Sequence, residues 1–136
     1  MTNSDRDGRT PLHYAARDNN VTSVRDLLAA GVDPNVADRA GFTALHFAAQ
    51  QQATEACAVL LEVGAAVDAV NRFGNTPLWT AIFSRSADIV RMLRERGADP
   101  WHVNSAGNTP VGLARMMADE HVARLFDDVS GASPGA

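Results

Sequence analysis

Apolar residues along this chain fall into short helical runs, two to a unit, parted by polar breaks. Leu12, Ala15 and Ala16 lie at i, i+3 and i+4, one side of a helix. Thr10 stands where an N-cap belongs, and Pro11 follows at the first helical position, where its missing N–H costs nothing. Asn19-Asn20 interrupts the pattern, since Asn tolerates a left-handed backbone better than most residues with a Cβ. Val24, Leu27 and Leu28 then mark a second helix, which Gly31 ends before Val32-Asp33-Pro34-Asn35 leads the chain away. Each unit therefore reads helix, turn, helix, extended turn.

The unit recurs at a fixed interval. Gly8, Gly41, Gly74 and Gly107 stand 33 residues apart, with nothing inserted or lost between copies. Apolar residues keep register with them: Leu12, Leu45, Leu78 and Val111 form one column, Ala15, Ala48, Ala81 and Ala114 a second, and Leu27, Leu60, Leu93 and Phe126 a third. These columns are the expected core. A constant period of this length predicts a solenoid, in which each unit buries its apolar face only against its neighbours.

The head of each unit carries a recognisable motif. Gly8-Arg9-Thr10-Pro11-Leu12-His13-Tyr14-Ala15-Ala16 returns as Gly41-Phe42-Thr43-Ala44-Leu45-His46-Phe47-Ala48-Ala49, then as Gly74-Asn75-Thr76-Pro77-Leu78-Trp79-Thr80-Ala81-Ile82 and Gly107-Asn108-Thr109-Pro110-Val111-Gly112-Leu113-Ala114-Arg115. With its 33-residue period, Thr-Pro-Leu-His-x-Ala resembles the ankyrin repeat. The resemblance runs from about Ser4 to about Asp128. It implies an all-α solenoid of helix-turn-helix units joined by extended, β-hairpin-like turns. One domain over 1–129 is expected, with repeats at about 5–37, 38–70, 71–103 and 104–129. The tail 130–136, Ser-Gly-Ala-Ser-Pro-Gly-Ala, has nothing to bury and is expected to be disordered.

Several positions depart from the family pattern. The inter-helix glycine is replaced by Asn19, Gln52, Arg85 and Ala118, so these turns are either strained or locally altered. The motif His is present at His13 and His46 but becomes Trp79 and Gly112, which implies a hydrogen-bond network that weakens toward the C-terminus. Trp101 occupies the column of Asn35 and Asp68, as an exposed ring or a filler between turns. Polar Ser23 and Asp26, and the charged last helix around Asp119, Glu120 and Arg124, mark the first and fourth units as caps.

Composition narrows the function. A net charge of −4 argues against nucleic acid and anionic membranes as partners. The N-terminus lacks an apolar targeting segment, and the run Ala56–Leu61 falls far short of the ~20 residues that span a bilayer. A cytoplasmic, monomeric protein is expected. Cys57 is the only cysteine, so no internal disulfide forms, and its apolar helical setting points to an inert thiol. Of the four histidines only His13 and His46 share a column, and no cysteine partners them, so neither a metal site nor a cofactor is expected. No phosphate loop, nucleophile elbow or His-Glu-x-x-His stretch is present, and no enzymatic activity is expected.

What remains is a binding surface. The resemblance implies a protein partner held on a concave face of turn tips and first helices. Carried over residue by residue, those positions include Arg6, Arg9, Arg39, Arg72, Asn75 and Asn108 at the tips. Arg6, Arg39 and Arg72 stand one period apart and suit a carboxylate-bearing partner, or are simply solvated. Phe42, Phe73, Phe83 and Met116 lie off the core columns and suit an apolar contact, unless packing hides Phe42 or Phe83. The expected partner thus presents an acidic and apolar surface, and the role is that of an adaptor or of an inhibitor or immunity protein. Two other readings stay open: a small-molecule pocket near Trp79, Trp101 and His102, and self-association through the same face.

Overall fold

A computed structural model of the chain describes residues 4–129. The expectations for 130–136 therefore lie outside the described residues. Within them the chain forms eight helices and no strand: α1 (Pro11–Arg17), α2 (Val21–Ala29), α3 (Ala44–Gln50), α4 (Thr54–Glu62), α5 (Pro77–Phe83), α6 (Ala87–Glu95), α7 (Pro110–Met116) and α8 (Glu120–Arg124). No helix among the described residues is long and apolar enough to cross a membrane.

The repeated threonine starts every first helix. Thr10, Thr43, Thr76 and Thr109 all hold an extended N-cap backbone, and Pro opens α1, α5 and α7. First helices stack in the order α1, α3, α5, α7, and second helices in the order α2, α4, α6, α8. Between these two layers lie the apolar columns. Leu12, Leu45, Leu78 and Val111 are buried, and so are Leu60, Leu93 and Phe126. Leu27 departs from its column: it is only half-buried, on the open outer side of the first pair beside Tyr14 and Asp26.

Histidines join neighbouring units. His13 Nε2 donates to the Phe42 carbonyl and His46 Nε2 to the Asn75 carbonyl, both at 2.9 Å. A carbonyl can only accept, so Nε2 carries the proton and Nδ1 is free to accept from the Thr10 and Thr43 N–H groups at 2.9 and 3.1 Å. Unit three has Trp79 in this place, and the buried hydroxyl of Thr76 is left without a partner. Another side chain supplies the missing link to unit four, Asn104 Nδ2 donating to Asn75 Oδ1 at 2.9 Å, and within unit three His102 Nε2 donates to the Gly74 carbonyl at 3.1 Å. The network changes its donors toward the C-terminus and is not simply lost.

Extended turns run beside one another in a row. Each closes on itself, as in Asp38 N–H to the Phe42 carbonyl at 2.8 Å, and each bonds to the tip before it: Arg39 N–H to Asp7, Arg72 N–H to Ala40 and Ser105 N–H to Phe73. Glycine is required where the tips touch. A Cβ on Gly41 would lie 2.8 Å from Asn71 Cα, and one on Gly74 2.7 Å from the Ser105 nitrogen. Both also hold positive φ.

The inter-helix turns resolve the glycine question in two ways. Asn19, Gln52 and Arg85 adopt left-handed φ of 54°, 56° and 60°, whereas Ala118 does not. In the first two turns the side chain does something glycine cannot. Asn19 Oδ1 accepts from Ala56 N–H at 3.0 Å and its Nδ2 donates to Glu55, capping α4, whose own N-cap is Ala53. Gln52 Nε2 donates to the Ser84 carbonyl of the next unit at 2.7 Å. In the fourth turn Met117 is extended, and Asp119 caps a shortened α8 by accepting from His121 and Val122 N–H.

Candidate functional site

The row of tips and the first helices together line an open groove of about 580 Å³. Phe42, Phe73 and Asn75 come from the tips of units two and three, and Trp79 and Phe83 from α5. Gln50, Gln51, Asn71, Thr80 and Ser84 complete the lining, and no lining side chain carries a charge. The structure thus brings together four of the residues singled out in the sequence, Phe42, Phe73, Asn75 and Phe83.

Their exposures differ. Phe73 and Phe83 are 49% and 70% exposed, unusually open for phenylalanine. Phe42 is half-buried, its ring against His46 and Phe47 with centroids 5.5 and 5.7 Å apart. It forms the floor of the groove. Asn75 holds the wall in place, its carbonyl accepting from His46 and its side chain from Asn104. Ser84 is fixed by its hydroxyl, which donates to the Ala49 carbonyl at 2.7 Å.

Arginines border this groove unequally. Arg9 is used internally: its Nε lies 3.4 Å from Asp38 Oδ2, a buried carboxylate, and its guanidinium sits over the Phe47 ring at 5.1 Å. Asp5 is held below the usual carboxylate range chiefly by the Tyr14 hydroxyl that donates to it, helped by the backbone N–H groups of Arg9 and Asp7. Arg6, Arg39 and Arg72 are exposed, and among the described residues none forms an ion pair. Arg72 stacks its guanidinium over the Phe73 ring at 4.9 Å.

Asn108 and Met116 belong to unit four and do not line the groove. Met116 is 81% exposed, and Asn108 is exposed with its backbone closing its own tip onto Asn104. Trp101 is partly buried against the core with Arg115 6.0 Å over its ring, so it is a filler that keeps some exposure. Trp79 lines the groove and Trp101 does not, which separates the two rings that the small-molecule reading placed in one region. Thr80 and Asn71 were not among the residues read as site from the sequence, and Trp79 was read there only as part of a small-molecule pocket. Trp79 carried a signal, a large ring in the column that elsewhere holds a buried histidine.

Among the described residues no group of three or more His, Cys, Asp or Glu side chains is placed to hold a metal ion. Burial pushes the Cys57 thiol up to about 12, so it stays protonated and non-nucleophilic at neutral pH. His13 and His46 each commit both ring nitrogens to protein partners. The groove presents aromatic rings bordered by guanidinium and amide groups.

A search among curated proteins found no match to the chain. A family model for ankyrin repeats, in three copies, matches residues 17–104. That span covers both helices of units two and three and the whole of the groove lining, and ankyrin repeats generally mediate protein–protein interaction. With its 33-residue period, stacked helix pairs and bonded row of tips, the chain belongs to the ankyrin-repeat family.

Proposed function

We propose that residues 1–129 act as one non-catalytic domain that binds a partner protein through the groove between the tips and first helices of units two and three. The observation that carries this reading is the pair Phe73 and Phe83, both largely open to water on the rim of an uncharged groove. Exposed aromatic rings on a fixed framework supply contact area with little to order on binding. The stacked units hold the groove through backbone and histidine bonds, so the binding face exists before the partner arrives.

The protein works as a cytoplasmic monomer that occludes or recruits its partner, with the exposed Arg6, Arg39 and Arg72 forming a basic edge. Its partner is a protein with an acidic and apolar contact surface, and the chain needs no cofactor. Capture from source-cell lysate tests this, with the wild-type protein and an Arg39→Glu, Phe73→Ala, Phe83→Ala variant run in parallel. All three side chains are exposed, so the variant keeps its fold. One protein retained by the wild type and lost by the variant is the expected result. Equal retention by both moves the site off the groove. A metabolite that raises the melting temperature, with no protein retained, replaces the reading with a small-molecule one.

A further inference from the structure

The row of tips carries a charge gradient that its own architecture does not need. Position one of each tip is Asp5, Asp38, Asn71 and Asn104, and each makes the same pair of turn bonds. The Oδ1 atom accepts from the N–H groups two and four residues ahead at 2.8 to 3.1 Å, whether the group is a carboxylate or an amide. The turn is therefore indifferent to the charge. The surface is not.

At the first tip Asp5 and Asp7 accompany Arg6 and Arg9; at the second Asp38 accompanies Arg39; at the third Arg72 stands with no acid, between Asn71 and Phe73. The first two tips share their charges, since Arg9 Nε lies 3.4 Å from Asp38 Oδ2. Together those two tips hold three aspartates, Asp5, Asp7 and Asp38, against three arginines, Arg6, Arg9 and Arg39, and the third alone keeps a net positive charge. That charge sits beside the groove, with the Arg72 guanidinium held flat on the exposed Phe73 ring.

We infer that Arg72 is the specificity-determining charge of the groove, and that the partner segment it selects is an acidic peptide. An apolar anchor of that segment enters between Phe73 and Phe83, and an Asp or Glu one or two positions away pairs with the guanidinium. The inference rests on the groove being the binding face. It separates Arg72 from Arg6 and Arg39, whose own tips also carry aspartates. A guanidinium already stacked on a ring presents its N–H fork to a carboxylate with little further ordering.

Random 12-residue peptides displayed on phage, selected on the wild-type protein and depleted on a Phe83→Ala variant, supply groove-dependent probes. The expected consensus pairs an aromatic or branched apolar residue with an Asp or Glu one or two positions away. For the best synthetic peptide, Arg72→Glu is expected to weaken binding about tenfold and to reverse the sign of its salt dependence, while Arg6→Glu changes the affinity less than about twofold. Circular dichroism checks that each variant keeps its helices. Groove-dependent peptides without an acidic preference, or equally weakened by Arg6→Glu and Arg72→Glu, overturn the inference and leave the groove as the binding face. If no peptide survives depletion on Phe83→Ala, the groove reading fails, and this inference with it. Concentration-dependent self-association lost in Phe83→Ala also overturns it, by giving the groove to a second copy of the chain.

Discussion

Residues that depart from the family pattern divide into those that work and those that only cost. Asn19 and Arg85 both sit at left-handed φ, where a Cβ costs about 1 kcal/mol. Asn19 offsets that cost by capping α4, whereas the Arg85 side chain has no bond among the described residues. Glycine at the two sites should therefore act with opposite sign. Arg85→Gly should stabilise by about 0.5 kcal/mol, the relief of φ less the added freedom of the unfolded chain. Asn19→Gly should destabilise by about 0.5–1 kcal/mol, because the lost cap outweighs the same relief. Urea midpoints of the two variants decide the matter. The absence of glycine was legible in the sequence, but its compensation was not. Asn19 meets Ala56 37 residues away, a contact that only the stacking distance creates.

His46 gives the residue scale its pH dependence. Burial holds its pKa below the ordinary 6.5, since charging the ring would cost solvation and would remove the Nδ1 acceptor from Thr43. In the unfolded chain the ring protonates near 6.5, so below that pH the unfolded state binds more protons than the folded one. Stability is thus fully present above about pH 6.5 and is lost as the pH falls from there toward the folded pKa. The urea midpoint should drop between about pH 7.5 and about pH 5.5, a window above the carboxylate range. His46→Gln should show a smaller drop over the same interval, although its stability at the higher pH is lower. An equal drop in both proteins would assign the effect to another group.

Among the elements described, α8 is the shortest, and the turn that follows it is fastened by another helix. The helix α8 has five residues where α2, α4 and α6 have nine, too few to hold a helix by its own backbone bonds. Arg94 on α6 does the holding. It donates through Nη1 and Nη2 to the Asp128 carboxylate at 2.8 and 2.9 Å and to the Leu125 carbonyl at 2.6 Å, and it lies over the Phe126 ring at 5.0 Å. The guanidinium in turn holds Asp128 below the usual carboxylate range. Arg94→Ala should free the end of the stack while the middle stays closed. Amide hydrogen exchange should then quicken at Val122 and Phe126, with Leu45 and Leu60 unchanged. Uniform quickening would mean that the fourth unit does not open by itself.

The polar content of this last helix was legible, and so was its role as an end unit. Its fastening was not, because Arg94 and Asp128 lie 34 residues apart and each resembles any other charge on a helix surface. A similar limit explains the groove. Phe73 and Phe83 could be picked out because they fall off the core columns. Arg9 could not be removed from the basic edge, since its partner Asp38 belongs to the next unit and reads in sequence as an ordinary turn aspartate. Trp79 was visible as an oddity but not as a wall of the groove, which exists only once α3 and α5 are side by side.

At the scale of the whole molecule, stability is a chain of interfaces, and its middle link matters most. In unit two Leu45, Ala48 and Leu60 are fully buried, on helices that pack against units on both sides, while in unit one Leu27 is only half-buried. A stack of repeats transmits order from neighbour to neighbour, so a cavity in the second unit weakens two interfaces and one in the first weakens one. Leu45→Ala should cost about 2–5 kcal/mol, the range for deleting a fully buried leucine. Leu27→Ala, with part of its side chain already in water, should cost about 1–2 kcal/mol. Urea unfolding followed by circular dichroism measures both. The groove supplies an independent readout of the same difference, because Phe42, Gln50 and Gln51 come from the weakened unit in the first variant and none of its lining comes from unit one in the second. A groove-binding peptide should therefore lose affinity to Leu45→Ala at urea concentrations where Leu27→Ala still binds normally. Equal loss in the two would mean that the four helix pairs open as a single unit, and that the groove shares the stability of the whole stack.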